Sequence, residues 1–352
     1  MKLYNESNKR TAPIPHKFCI APMLDVTDMH ARFLYRLISK NAYLYTEMIT
    51  SQTIIHHKNQ SALLNFNEEE HPIALQLGGC DPKELAYCAK LAEKAGYDEI
   101  NLNIGCPSPR VQKGAFGACL MAEPALVAQC VEAIKSVSTL PVTIKSRIGI
   151  DHQDSLEFLQ NFIDHVSAKG VNTFIIHARS AWLKGLNPKQ NREIPPLNYE
   201  RVYQIKKLFS HLTIIINGGI TTPEEGLTHL NYVDGIMLGR AIMYRPFLLC
   251  DVDAKYYNQN VKKKQQDTAQ LLTISEEEII EKYVTYAETQ FNQGVRTHTL
   301  IKPILGLFHG ERGSRFFRRV LSVESCQPNA TPQIIIKAVK AIKNAKNSAM
   351  EL

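Results

Sequence analysis

From residue 18 to about residue 250, short β-rich runs alternate with stretches of helical spacing. The strand-like runs are Phe18–Ala21, Tyr43–Thr46, Ile73–Leu77, Glu99–Leu102, Val142–Lys145, Thr173–Ile176, Thr213–Ile216 and Gly235–Leu238. Glu99-Ile-Asn-Leu-Asn-Ile104 alternates polar and apolar residues at the strand period of two. Amphipathic segments lie between the runs, among them Lys83–Ala95, Leu126–Val137, Leu156–Ala168 and Tyr199–Phe209. Eight consecutive β/α units over about 230 residues predict an α/β fold closed into a (β/α)8 barrel rather than a doubly wound sheet. In such a barrel the carboxyl ends of the strands converge on one face, which here brings together Gln76, Cys106, Lys145, His177, Asn217 and Gly239.

The pattern changes after residue 250. Residues 251–272 are polar, rich in lysine and glutamine, and carry little apolar periodicity, so 251–274 reads as a linker or an exposed capping segment. Ser275 and Glu278 form a capping-box pattern. The helix they open carries Ile279, Ile280, Tyr283, Val284, Ala287 and Phe291 on one face. Thr331-Pro332 signals a further helix, an N-cap followed by proline at the first helical position. Along it Lys337, Lys340, Lys343 and Lys346 fall away from the apolar stripe. The expected organisation is a catalytic barrel over 1–250, a linker, and an all-helical domain over 275–352.

Charge sharpens that division. Of the net +7, Arg296 to Lys346 carries +8, from ten Lys/Arg against Glu311 and Glu324. A nearly neutral barrel with a cationic appendage points to a polyanionic partner, nucleic acid first, against the plain alternative of a solvated surface. Eight cysteines without a C-x-x-C pair argue against a zinc site or a disulfide framework and suit a reducing cytoplasm. No apolar run approaches the ~20 residues a membrane span needs, and the polar start Met1–Lys17 lacks the apolar core of a secretory signal.

The candidate chemistry sits at the strand ends. Cys106 follows an apolar strand directly; Gly105 admits a tight turn and Pro107 stiffens its exit. A lone cysteine is ordinarily core, so its display here gains meaning only from its neighbours. Asn217-Gly-Gly-Ile220 and Gly239-Arg240 fall after the seventh and eighth strands, where barrels commonly cradle a phosphate on backbone N–H groups. Glycines 218, 219 and 239 permit close approach, and Arg240 adds charge-assisted bonds. Lys145 can stabilise negative charge building on a reduced ring, His177 can donate to a phosphate or ring oxygen, and Gln76 offers donor and acceptor to a planar heterocycle. Together they suit a phosphorylated redox cofactor, most simply FMN; the absence of G-x-G-x-x-G leaves a Rossmann dinucleotide site unsupported.

These residues carry a family resemblance. The chain resembles the tRNA-dihydrouridine synthases, most of all the A-type subfamily. The matching text is Ala-Pro-Met-Leu-Asp-Val-Thr-Asp at 21–28, Gln-Leu-Gly-Gly at 76–79, Asn-Leu-Asn-Ile-Gly-Cys-Pro-Ser at 101–108 and the stretch from Arg110 to Met121. The subfamily is marked by His177-Ala-Arg179, Asn187-Pro-Lys189, Asn191-Arg-Glu-Ile-Pro-Pro196 and Leu305-Gly-Leu-Phe308. Pro109 and Lys113 depart from its usual choices, as does the lysine-rich stretch 251–270.

The resemblance implies FMN at the barrel mouth, with Pro22 and Met23 against the isoalloxazine, Gln76, Lys145 and His177 lining it, and Asn217, Gly218, Gly219, Gly239 and Arg240 on its phosphate. It implies NADPH as electron donor and tRNA as substrate, with D-loop uridines 20 and 20a as targets. A uridine flipped out of the RNA would take hydride at C6 and a proton at C5 from Cys106, a role for a neutral thiol. It assigns Asn103 to the uracil edge and the loop carrying Lys184, Lys189 and Arg192 to the target nucleotide. In the basic domain, Lys302, Arg315 and Arg318 are the expected RNA contacts, the last two beside Phe316 and Phe317. A reductase of a free pyrimidine leaves the basic domain without a task. A lysine-dependent aldolase leaves Cys106 idle as well, and a non-catalytic RNA-binding barrel does not need this set of mouth residues.

Overall fold

The computed structural model of the chain describes residues 15–257 and 274–347, with the side chains of 345–347 outside the description. Eight parallel strands form the barrel: β1 (Phe18–Ile20), β2 (Leu44–Tyr45), β3 (Ile73–Gly78), β4 (Glu99–Ile104), β5 (Val142–Arg147), β6 (Thr173–His177), β7 (Thr213–Asn217) and β8 (Gly235–Leu238). Each of the eight expected runs holds a strand. Closure comes from bonds between β1 and the residue before β2: Ile20 N–H donates to the Tyr43 carbonyl and Tyr43 N–H to that of Phe18, each at 2.9 Å. A further two-residue strand, Ile49–Thr50, pairs in parallel with the end of β3. Two residues are too few to show a period, so the sequence carries no signal for it.

Strand alternation divides the side chains into two sets. Ile73, Leu75, Ile100, Leu102, Ile144, Ile176, Ile214 and Ile216 face outward into the apolar layer beneath the helices. The inward set includes a small apolar plug of Cys19, Ala21, Tyr43, Tyr45, Ala74, Ile175, Ile215 and Met237, with Met23 packed over it. Beside the plug run inward polar residues from β3, β4 and β5, in register as Gln76 with Asn101, Asn101 with Thr143, and Asn103 with Lys145.

The segment after the barrel departs from the expected linker. Val252 and Tyr256 are fully buried, and residues Asp253–Tyr257 form a short π-helical turn. Asp253 accepts from the Ser39 hydroxyl and from the backbone N–H groups of Lys40 and Asn41, while Tyr256 donates to the Pro223 carbonyl at 2.6 Å. Its polar composition hid three anchors, Val252, Asp253 and Tyr256, because alternate burial in so short a stretch gives no periodic signal. The remainder of the expected linker up to residue 273 lies outside the described residues.

The C-terminal part is helical, with main helices Glu276–Asn292, Ser314–Glu324 and Ile334–Asn347. Ser275 caps the first by accepting from Glu278 N–H, whereas the Glu278 carboxylate pairs with Lys282. The last helix begins at Ile334, after a turn in which Ile334 and Ile335 N–H donate to Thr331 and Pro332 carbonyls. The helical part packs on the barrel through a shared apolar core. Tyr286 stacks on Phe33 with ring centroids 3.8 Å apart, and its hydroxyl meets His30 Nδ1 at 2.8 Å. Gly306 lies where any Cβ would come within 2.5 Å of the Met243 carbonyl oxygen and 2.7 Å of that of Tyr244. Glycine is therefore required at this junction. Gly306→Ala is expected to lower stability by about 1–3 kcal/mol through overpacking against backbone, measured by urea denaturation. An unchanged midpoint would show that the two parts separate without cost.

Candidate functional site at the barrel mouth

The turn after β4 is fixed by a short-range acceptor. Asn103 Oδ1 receives the backbone N–H groups of Gly105 at 3.2 Å and Cys106 at 3.0 Å. The Cys106 carbonyl in turn accepts from Ala118 N–H at 3.0 Å. That return contact requires Gly117, whose φ is +76° and whose Cβ would lie 2.6 Å from the Cys106 oxygen. The thiol is partly exposed and free.

Two cations stand beside it. Lys145 Nζ donates to Asn217 Oδ1 at 3.1 Å. Burial, with the repulsion of Arg147, lowers the lysine from its ordinary 10.5 to about 7, while the Cys106 thiolate would act in the opposite direction. Arg147 is buried and lowered to about 10 by the same desolvation. Among the described residues neither makes an ion pair. A buried cation without an anion is costly, so this arrangement suits a site built for an electron-rich or anionic group. His177 is held well below its usual range by burial and then by Arg147, Lys145, Arg179 and Arg192, and is a neutral imidazole at physiological pH.

Arg147 also ties two loops together. Its Nε donates to the Gly105 carbonyl at 3.1 Å and a terminal nitrogen to that of Asn191 at 3.0 Å. Asn191, fully buried, brackets Trp182: it accepts from the Trp182 N–H at 2.7 Å and donates to its carbonyl at 2.9 Å. Gln112 adds a second tie, donating to both Pro107 and Leu183 carbonyls at 2.8 Å. The loop after β6 is thereby held to the Cys106 turn, with Lys184, Lys189 and Arg192 exposed upon it.

The phosphate-type features converge as the spacing implied. Gly218 and Gly219 have φ of +107° and +77°, and Cβ atoms there would strike His177 and the Leu197–Tyr199 pair, respectively. The Tyr199 hydroxyl donates to the Gly218 carbonyl at 2.8 Å. Asn217 donates to the Met237 carbonyl at 2.7 Å, linking β7 to β8. Gly239 lies over Ala21 and Met23, which a Cβ there would meet at 3.4 and 3.5 Å, ordinary contact distances. Arg240 is exposed and pairs with Glu193 at 2.7 Å. The Nε of Arg179 is buried without a partner, a donor left open beside this loop.

Most of the expected mouth residues therefore come together: Cys106, Lys145, His177, Asn217, Gly218, Gly219, Gly239 and Met23 share the rim, with Pro22 in the adjoining loop. Gln76 lies deeper, 1% exposed, with its amide already bonded to Asn101 and Asn103. Asn103, expected at a uracil edge, is partly exposed and uses its carbonyl on the turn and one amide hydrogen on Gln76. Arg147 was missed, although the strand period of two places it on the same face as Lys145. Tyr199 carried no signal of a site role and Gln112 stood only within the matching stretch from Arg110 to Met121, because Gly218 and Leu183, which they bind, lie on other loops. In the helical part Lys302, Arg315 and Arg318 are exposed, and Phe316 is 54% exposed among the arginines. Phe317 is buried against Phe308 and anchors the helix instead. Lys337 and Lys343 are exposed but pair with Glu324 and Glu277.

The lysine generates a prediction about pH. Lys145 charges at about pH 7 in the folded chain and near 10.5 when unfolded. Between these values the unfolded chain binds the extra proton, so this group makes stability rise with pH; below them both states are charged and the burial penalty is complete. Lys145→Met should remove that rise in the ligand-free protein, read from urea midpoints at about pH 7 and about pH 9. Parallel midpoints for both proteins would mean that the amine is solvated.

Comparison with known proteins identifies the family to which the chain belongs. The family model for dihydrouridine synthase matches residues 19–346. A tRNA-dihydrouridine(20/20a) synthase of Shewanella oneidensis is 51% identical over 326 residues, covering 93% of this chain and 94% of that protein. Proteins of the same name from Vibrio parahaemolyticus and Escherichia coli are each 50% identical over 332 residues, covering 94% of this chain and 98% and 97% of their own lengths.

Proposed function

We infer that this chain, which belongs to the dihydrouridine synthase family, reduces the C5=C6 bond of uridines 20 and 20a in tRNA. The observation that carries the site assignment is the buried pair Lys145 and Arg147, which make no ion pair among the described residues, beside Cys106 on one rim. FMN fits the donors present: Lys145 and the neutral His177 face the ring region, and the backbone around Gly218, Gly219 and Gly239 with Arg240 suits the phosphate. When bound and reduced by NADPH, it would supply the hydride for uracil C6.

The chain's own residues do the rest. Cys106 donates its thiol proton to C5 of the uracil. Asn103 keeps the thiol in place by holding its backbone N–H, and Arg147 fixes the same turn from the far side. Lys145 offers a positive charge where negative charge accumulates during reduction, in a setting where burial strengthens its field. His177, kept neutral, can donate a hydrogen bond without adding a further charge. Lys189 and Arg192 approach the RNA backbone from the loop after β6, and Lys302, Arg315 and Arg318 from the helical part, with Phe316 free to stack on an unpaired base. Gly306 seats that helical part against Met243 and Tyr244, in the segment directly after Arg240. Among the described residues no helix is long and apolar enough to cross a membrane. We place the protein in the cytoplasm, where its cysteines remain thiols and tRNA is at hand. A free pyrimidine as substrate is disfavoured by the exposed arginine face and by the names of the relatives.

Purified protein should be yellow, with an absorbance band near ~450 nm. Cys106→Ala should still bind FMN and tRNA while dihydrouridine formation falls by about 100-fold or more. Turnover at the unaltered rate would assign the proton to another group. Arg315→Glu combined with Arg318→Glu should weaken tRNA binding and reduce the salt dependence of log Kd by about 2 in slope. An unchanged slope would remove both from the interface. Mapping dihydrouridine in tRNA from cells lacking the gene tests the choice of positions 20 and 20a.

A further inference from the structure

Through the barrel runs a single file of hydrogen-bonded side chains that ends on the Cys106 turn. At the floor His16 Nε2 meets Glu99 Oε2 at 2.6 Å, and the Thr143 hydroxyl donates to Glu99 Oε1 at 2.6 Å. Asn101 Nδ2 donates to the Thr143 oxygen at 2.8 Å, and Gln76 Nε2 to Asn101 Oδ1 at 2.7 Å. Asn103 Nδ2 then donates to Gln76 Oε1 at 2.9 Å, and Asn103 Oδ1 takes the N–H groups of Gly105 and Cys106. Glu99 and Asn101 are fully buried, and Gln76 and Thr143 are each 1% exposed.

The sense of this file is imposed from both ends. Backbone N–H groups can only donate, so Asn103 must turn its oxygen to them and its nitrogen to Gln76. Gln76 must then answer with its oxygen, and Asn101 with its oxygen toward the Gln76 nitrogen. The Asn101 nitrogen meets Thr143, whose own proton goes to the carboxylate. Turning over the buried amide of Gln76 or Asn101 would set two donors or two acceptors face to face where water cannot relieve them. Only a residue that accepts the Thr143 proton completes the order at the bottom, and Glu99 is that residue.

We propose that Thr143 and Glu99, at the barrel floor, are positioning residues for the mouth, because they fix which atoms Gln76 turns to the cofactor and, through Gln76, how Asn103 holds the Cys106 turn. Neither reaches the reacting atoms; each acts through the amides above it. The cofactor side of this proposal rests on the flavin reading, while its effect on the Cys106 turn does not.

The test uses the full chain with Thr143→Val, nearly isosteric but lacking the hydroxyl, and Thr143→Ser, which keeps it. FMN is titrated while its visible spectrum is recorded. Separately, the rate of Cys106 alkylation by iodoacetamide is followed by mass spectrometry of the peptide that contains it. In Thr143→Val, FMN affinity should fall by about tenfold with a shifted visible band, and the alkylation rate should change by about threefold or more. Thr143→Ser should restore all three. Thr143→Ala, which introduces no added methyl against its neighbours, carries the same expectation should Thr143→Val not fold. Wild-type alkylation together with a wild-type flavin spectrum in Thr143→Val or Thr143→Ala overturns the proposal, and so does a Thr143→Ser protein as impaired as Thr143→Val. If the unaltered chain takes up no FMN, the flavin reading falls and the alkylation comparison alone decides whether the floor holds the turn.

Discussion

Asn103 Oδ1 accepts the backbone N–H groups of Gly105 and Cys106, and through those two bonds the position of the thiol becomes a property of strand β4 rather than of a loop. Everything else at the mouth is arranged about that turn. Arg147 reaches it from β5, Gly117 closes it from behind, and Gln112 fastens its continuation to the loop after β6. The proposed role of this thiol, facing a flat base, calls for such rigidity, since a misplacement of about 1 Å can cost on the order of 100-fold in rate.

Electrostatics at the same rim follow from burial. Lys145 and Arg147 are drawn into the barrel without a carboxylate among the described residues to meet them, and the lysine's pKa falls as a consequence. His177 is pushed to its neutral form by the same field. Burying these cations carries an energetic penalty that an anionic or electron-rich ring would relieve, so the binding and the reactivity of the proposed flavin would draw on one arrangement of charge. Glu99 lies at the floor beneath the amide file, and Glu193 pairs with Arg240 at the outer rim.

Much of the fold was legible because period and punctuation agreed. Eight runs spaced by helical segments led to a barrel, and the residues just after the runs proved to share its mouth. Cys106, Lys145, His177, Asn217 and the paired glycines were recognisable by position alone, since a strand end in a barrel has only one place to go. The segment after residue 250 was misread for a physical reason: Val252, Asp253 and Tyr256 anchor it by three unlike interactions, and composition averages them into a polar tether. Asn103 was read through the resemblance as a substrate contact, whereas its nearest obligations are to its own turn and to Gln76.

The chain by itself determined the order of strands and helices, the inward and outward faces of each strand, and the cationic character of its helical end. These are local properties, set by side-chain alternation, turn residues and charge along a single thread. Tertiary structure alone decided that Gln76, Asn101, Thr143 and Glu99 form one directed file, that Arg147 joins two loops, and that Gly306 marks the junction with the helical part. Each of these depends on which residues become neighbours across strands and loops distant in sequence. Closing the barrel creates those neighbours, and no reading along one strand contains them.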